Sequence, residues 1–175
     1  MSKAKAKSKA IELLENLKIN KLPINVNKIA DSLGIEVVYK DLPDEVSGIL
    51  YPQNIQDSRY TVVINNSHHL NRQRFSIAHE LGHFYLNHST EIHVDKQTFF
   101  RDNRSSIAID PIEIEANTFA AEILMPEEII SEEFEHIIER KTDLDEDKIV
   151  NDLANTFEVS SVAMTYRLRN LELLF

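Results

Sequence analysis

The sequence predicts an α+β fold: a small three-stranded antiparallel sheet, a buried helix in mid-chain and a helical C-terminal extension. Two observations lead there. The runs IEVVYK, SGILY and RYTVVIN are short and β-branched, follow one another closely, and are bounded by Pro, Asp, Asn and Gly, as strands and turns are. The stretch RFSIAHELGHFYLNH is apolar on nearly every side of a helix, and a helix of that kind belongs in a core.

Taken in order, Ala10, Leu13, Leu14 and Leu17 recur at helical spacing and predict a first helix over about 3–18. Asn25 caps a second, whose apolar face is Val26, Ile29, Ala30 and Leu33, and Gly34 ends it. Strands follow near 35–40, 47–51 and 59–65. Strands so close in sequence favour an antiparallel meander. The apolar helix runs from about 71 to 88 with Asn71 as its cap, and residues 89–108 show no period and read as a loop or flap. Asp110, Pro111 and Glu113 then form a helix start signal for 111 to about 124. PEEIISEEFEHIIERK, DEDKIVNDLANTF and SSVAMTYRLRNLELLF predict three more helices, the last capped by Ser160. The expected division is a main domain over 1–140, with its core at about 20–130, and a helical pair over 141–175 packed on it.

The net charge of −10 argues against tight nonspecific binding to nucleic acid or an anionic membrane. No stretch approaches the ~18 apolar residues of a membrane span, and the basic N-terminus lacks the apolar core of a signal peptide. A cytoplasmic location is expected. The chain has no cysteine, so any metal must be held by His, Asp or Glu.

HELGH, residues 79–83, offers such a site. Four residues of helix turn about 400° and rise about 6 Å, so His79 and His83 project from one face, one turn apart. Glu80 lies about 100° round from His79 and can reach a metal-bound water without joining the coordination shell. The bland alternative is two unrelated histidines on a core helix. Two features weigh against it. Gly82 interrupts this helix at a cost of about 1 kcal/mol relative to Ala, which implies a close neighbour. The small residues Ala116, Ala120 and Ala121 on the 111–124 helix would permit that approach. A catalytic zinc site needs a third protein ligand. The pattern with a third His six residues after the second fails, since that position is Ser89 and Leu86 replaces its Gly. Glu113 and Glu115 lie about 200° apart on their helix, so only one can face the ion. Glu115, beside Ala116 and Phe119, is the expected donor; Glu113 is the reserve and a helix-cap residue.

RFSIAHELGHFYLNH followed by IEIEANTFAAEILMP resembles the ImmA/IrrE family of metallo-endopeptidases. LPINVNKIADSLGIEVVYKDLPDEVSGILY and TVVINNSHHLNRQRF resemble that family's lead-in, and VNDLANTFEVSSVAMTYRLRNLELL is more weakly similar. The resemblance implies a zincin-like metallopeptidase domain. It implies zinc held by His79, His83 and the Glu of EAN, Glu115, with Glu80 as general base. Mn2+ or Fe2+ can substitute in a set of this kind. It further implies a protein substrate, a helix-turn-helix repressor cut to relieve repression in a stress response or mobile-element induction. The chain carries no repressor-like N-terminal domain, so a separate partner is expected. Tyr85, His88, His93 and Tyr166 are unranked candidates for stabilising an oxyanion, and the strand near 60–64 is a candidate edge for an extended substrate. Two alternatives stand beside catalysis. One is a non-catalytic partner that only binds a regulator. The other is a DNA-binding helix-turn-helix module in DLANTFEVSSVAMTYRLRNL, for which Arg167 and Arg169 form a thin phosphate footprint.

Overall fold

Strand RYTVVIN is buried without interruption from Thr61 to Asn65, and that run determines the layout of the sheet. The computed structural model describes residues 2–54, 59–88, 93–96, 110–140 and 145–174. Its elements are α1 (Lys3–Asn16), α2 (Val26–Ser32), β1 (Ile35–Lys40), β2 (Val46–Asn54), β3 (Arg59–Asn65), α3 (Leu70–Tyr85), β4 (His93–Lys96), α4 (Pro111–Leu124), α5 (Glu127–Arg140), α6 (Glu146–Phe157) and α7 (Ser161–Asn170).

The helix starts follow from capping side chains. Asn25 Oδ1 accepts from the Lys28 N–H at 3.1 Å, Asp110 Oδ1 from Ile112 at 2.9 Å and Ser160 Oγ from Ala163 at 3.1 Å. Gly34, at φ +71°, closes the turn after α2, a conformation glycine adopts without a Cβ penalty. Helix α3 departs from the expected cap: His69 Nδ1, not Asn71, accepts the first free N–H. It also ends earlier than expected, because Asn87 turns left-handed at φ +56°.

The sheet is mixed and four-stranded, in the order β1-β3-β2-β4, rather than a three-stranded antiparallel meander. Strand β1 pairs parallel to β3, whereas β2 pairs antiparallel to both β3 and β4. The physical reason is burial. An unbroken apolar strand needs cover on both faces and pairing on both edges, so β3 takes the interior and the charged, alternating IEVVYK takes an edge. Residues 41–45 are long enough to skip one strand, since strands lie about 4.8 Å apart and extended chain spans about 3.4 Å per residue. The fully buried Asn65 pins that crossover, its Nδ2 donating to the Leu42, Pro43 and Val46 carbonyls at 3.1, 3.1 and 2.9 Å. Strand β4 falls within the segment read as a loop or flap. The remainder of 89–108, apart from β4, lies outside the described residues.

One buried apolar cluster joins these layers, drawing on Leu13 of α1, Ile64 of β3, Leu81 of α3, Phe119 of α4, Leu153 of α6 and Leu168 of α7. Helices α3 and α4 meet at Gly82, where an added Cβ would lie 3.2 Å from both Ala116 Cα and the Ala116 carbonyl oxygen. Arg167 of α7 reaches inward: Nη2 meets the buried Glu122 carboxylate at 2.5 Å and Nε donates to the Met125 carbonyl at 3.0 Å. This commits one of the two arginines of the candidate phosphate footprint to the interior. Arg74 of α3 donates to the Phe157 and Glu158 carbonyls at the α6–α7 turn. No described helix is long and apolar enough to cross a membrane.

Two stability predictions follow from these contacts. Gly82→Ala should gain about 1 kcal/mol of helix propensity yet lose more by pushing α4 away, a net destabilisation of about 1–2 kcal/mol in equilibrium urea unfolding. Unchanged stability would mean that the helices do not meet there. Arg167→Ala should cost about 3–5 kcal/mol by leaving Glu122 buried without its cation. A loss below about 1 kcal/mol in the same assay would show the pair to be peripheral.

Candidate metal centre

Helix α3 carries His79, Glu80 and His83 into the interior, with the two imidazoles 3% and 0% exposed at the side chain. Their Nε2 atoms face each other at 3.0 Å. Glu113 of α4 meets both, Oε2 lying 3.3 Å from His79 Nε2 and Oε1 lying 3.4 Å from His83 Nε2. The ligand atoms of His79, His83 and Glu113 all lie within 4.8 Å of one another.

Glu115 is not part of this group. It pairs instead with His88, whose Nε2 donates to Glu115 Oε2 at 2.9 Å. The close approach of Gly82 explains the difference. That contact turns Ala116 toward α3, and the residue one turn earlier on the same face is Glu113. Glu115 lies about 100° away from Ala116. His88, released from the helix by the left-handed Asn87, meets it there.

Two further residues complete the surroundings. Asn117 Oδ1 accepts from His79 Nδ1 at 3.1 Å. That bond leaves the lone pair of a neutral His79 on Nε2, the atom directed at His83 and Glu113. His93 of β4 bridges the two carboxylates, with Nδ1 3.2 Å from Glu80 Oε2 and Nε2 3.1 Å from Glu113 Oε1. Its ring also stacks on His83 with centroids 3.7 Å apart. Among the four residues weighed for an oxyanion role, only His93 joins the cluster. His88 is committed to Glu115, Tyr85 packs against Phe119 with centroids 5.7 Å apart, and Tyr166 stands half-exposed on α7.

Glycine at position 48 lets β2 pass over Glu80, since an added Cβ would lie 3.1 Å from Glu80 Oε1. That oxygen is buried with no hydrogen-bond partner among the described residues. Neither Asn117 nor Gly48 was singled out from sequence. For Asn117 a signal was present: it follows Glu113 by four residues and so shares its helix face.

The electrostatics favour a cation. Burial raises the Glu80 carboxyl above the ordinary range, despite His93 and His79. Burial also opposes charge on His93, but its bonds to Glu113 and Glu80 outweigh this and push it up to about 10. The same contest, with Glu113 and Glu80 as the favourable partners, raises His79. Bonds from His79, His83 and His93 hold Glu113 well below the usual carboxylate range. Burial pushes His83 down to about 4, so that imidazole stays neutral and keeps a lone pair. A proton on His93 thus supplies positive charge that the carboxylates demand. Two imidazoles and one carboxylate with converging donor atoms fit a divalent ion by chemistry and by placement.

A model described as the IrrE N-terminal-like domain, of peptidase family M78, matches residues 30–169, a stretch that includes α6 and nearly all of α7. The chain is 33% identical over 113 residues to Metallopeptidase ImmA of Bacillus subtilis (strain 168), covering 65% of this chain and 61% of that protein. It is 31% identical over 108 residues to Uncharacterized immunity region protein 2 of Bacillus phage phi105, covering 62% and 63% respectively. The matched part thus spans about three fifths of each of these relatives.

Asn117→Ala should weaken zinc binding about 10- to 100-fold in a chelator-competition titration, because His79 loses the bond that orients it. An unchanged affinity would reduce Asn117 to a packing residue.

Proposed function

The chain belongs to the ImmA/IrrE family of metallopeptidases, and from that premise we propose that it is a zinc-dependent endopeptidase of zincin-like build. In this reading it acts in the cytoplasm on a helix-turn-helix repressor. The observation that carries the reading is the convergence of His79 Nε2, His83 Nε2 and the Glu113 carboxylate beside a buried Glu80. His79, His83 and Glu113 hold the ion, and Glu115, expected from sequence, serves by its bond to His88 instead. Zinc suits this donor set, as do Mn2+ and Fe2+.

When bound, the ion polarises a peptide carbonyl and lowers the pKa of water toward about 7. Glu80, beside the ligand face and not on it, takes a proton from the attacking water on a carboxylate oxygen and passes it to the leaving amine. His93 holds Glu80 and Glu113 through its two ring nitrogens. To stabilise the negative charge that develops on the carbonyl oxygen, His93 would turn one of these two N–H groups from its carboxylate to that oxygen. The strand near 60–64 cannot take an extended substrate, because β3 is paired on both sides. Strand β4 replaces it: it carries His93, pairs with β2 along one edge, and has no strand on its other edge among the described residues. The repressor substrate rests on the family resemblance, and the phage relative's designation as an immunity region protein accords with it.

The test mixes zinc-loaded protein with a candidate helix-turn-helix repressor from the same genome. Wild type should cut it. Glu80→Gln should keep its zinc and lose at least about 10²-fold in cleavage rate. Glu113→Ala should lose both metal and cleavage, whereas Glu115→Ala should retain metal. A stable complex that wild type never cuts would replace the enzyme with a binding module. Zinc retained by Glu113→Ala but lost by Glu115→Ala would reverse the ligand assignment.

A further inference from the structure

A groove of about 480 Å³ opens beside the donor cluster, between the first half of α3, the end of α4 and the start of α7. Phe75, Leu124, Met125, Val159, Val162 and Tyr166 give it mainly carbon walls. Ser47, Arg72 and Asp95 line it on the side of the sheet, where Arg72 Nη2 donates to Ser47 Oγ at 2.9 Å. Val162 is 66% exposed and Tyr166 51%, so the apolar wall faces outward. The groove adjoins the donor cluster. Phe75 stacks on His79 with centroids 6.3 Å apart, and Asp95, which lines the groove, stands on β4 two residues after His93.

We propose that this groove is the specificity pocket of the peptidase and takes a bulky apolar side chain of the substrate polypeptide within two residues of the cleaved bond. The inference rests on the function proposed above. Asp95, which lines the groove, follows His93 by two residues on β4, so an extended substrate alongside β4 covers that span in about two residues. A peptide held at the donor cluster along β4 therefore brings a neighbouring side chain over the groove. An apolar side chain fits because the carbon walls offer it contact area. Against the Phe75, Val162 and Tyr166 wall a charged side chain would lose its hydration.

The test varies the helix-turn-helix protein that wild type cuts, placing Leu, Ala or Asp singly at the two residues on each side of its cleavage site. One position should show a preference for Leu, with kcat/KM falling about tenfold or more for Ala or Asp. Val162→Asp in the peptidase, a change at an exposed side chain away from the donor cluster, should slow the Leu substrate by a similar factor. It should leave the Ala substrate, the bound zinc and the melting temperature unchanged. Tyr166→Ala, which widens the same wall, should weaken the Leu preference. Four positions that all tolerate Asp would overturn the inference, as would a Val162→Asp variant that slows both substrates alike. A Val162→Asp variant that instead shifts the oligomeric state in light scattering would assign the groove to a second copy of the chain and overturn it too. If wild type cuts no form of the protein, the peptidase reading fails and takes the pocket with it; cutting without a preference removes the pocket alone.

Discussion

The contact between Gly82 and Ala116 sets the geometry on which the site depends. A helix that must carry two imidazoles and a carboxylate in its interior has to be met by a partner helix at short range. A side chain on either helix at the crossing would hold the two backbones apart. With glycine on α3 and alanine on α4, the backbones approach until an added Cβ would be 3.2 Å from its neighbours. That approach fixes the register of α4 as well as its distance. Ala116 faces α3, so Glu113 and Asn117 follow on the same side, one toward both imidazoles and the other toward His79 alone. Glycine at 48 has a parallel effect from the sheet side, letting β2 close over Glu80.

The interior these contacts create is unusual in its charge. Glu80 and Glu113 approach two buried histidines, and Asp95 stands close by. A buried carboxylate without a counterion is costly, and the chain meets part of that demand with a proton on His93. A divalent ion meets the same demand more fully, and its three donors already point at one another. The ion belongs to the structural logic of this core as well as to its chemistry. The peptidase reading therefore depends on the two helices meeting closely, and not on the HELGH motif alone.

Much of this was legible in the sequence. The starts of α2, α4 and α7 were written in Asn25, Asp110 with Pro111, and Ser160, because a cap is a local bond between a side chain and a backbone a few residues away. The close neighbour of Gly82 was also legible, since glycine in a helix interior is costly unless something needs the room. Strand order was not. Sequence adjacency favoured a meander, but the sheet answers to which strand can tolerate burial on both faces, and β3 is that strand. That Glu113, and not Glu115, lies beside the paired imidazoles was not legible for a related reason. Spacing showed that only one could face the ion, but the apolar stripe around Ala116 broadens toward both, and only the helix crossing decides between them. His93 belongs to a segment with no period, and its place in the site comes from the pairing of β4 with β2.

The central claim is that α3 and α4 meet so as to place one divalent ion between His79, His83 and Glu113. Crystals grown with zinc, with diffraction collected above and below the zinc absorption edge, test it most directly. The account predicts a single strong anomalous peak within bonding distance of His79 Nε2, His83 Nε2 and a Glu113 oxygen, with Asn117 still holding His79. A peak beside His88 and Glu115, or none at the paired imidazoles, would contradict it.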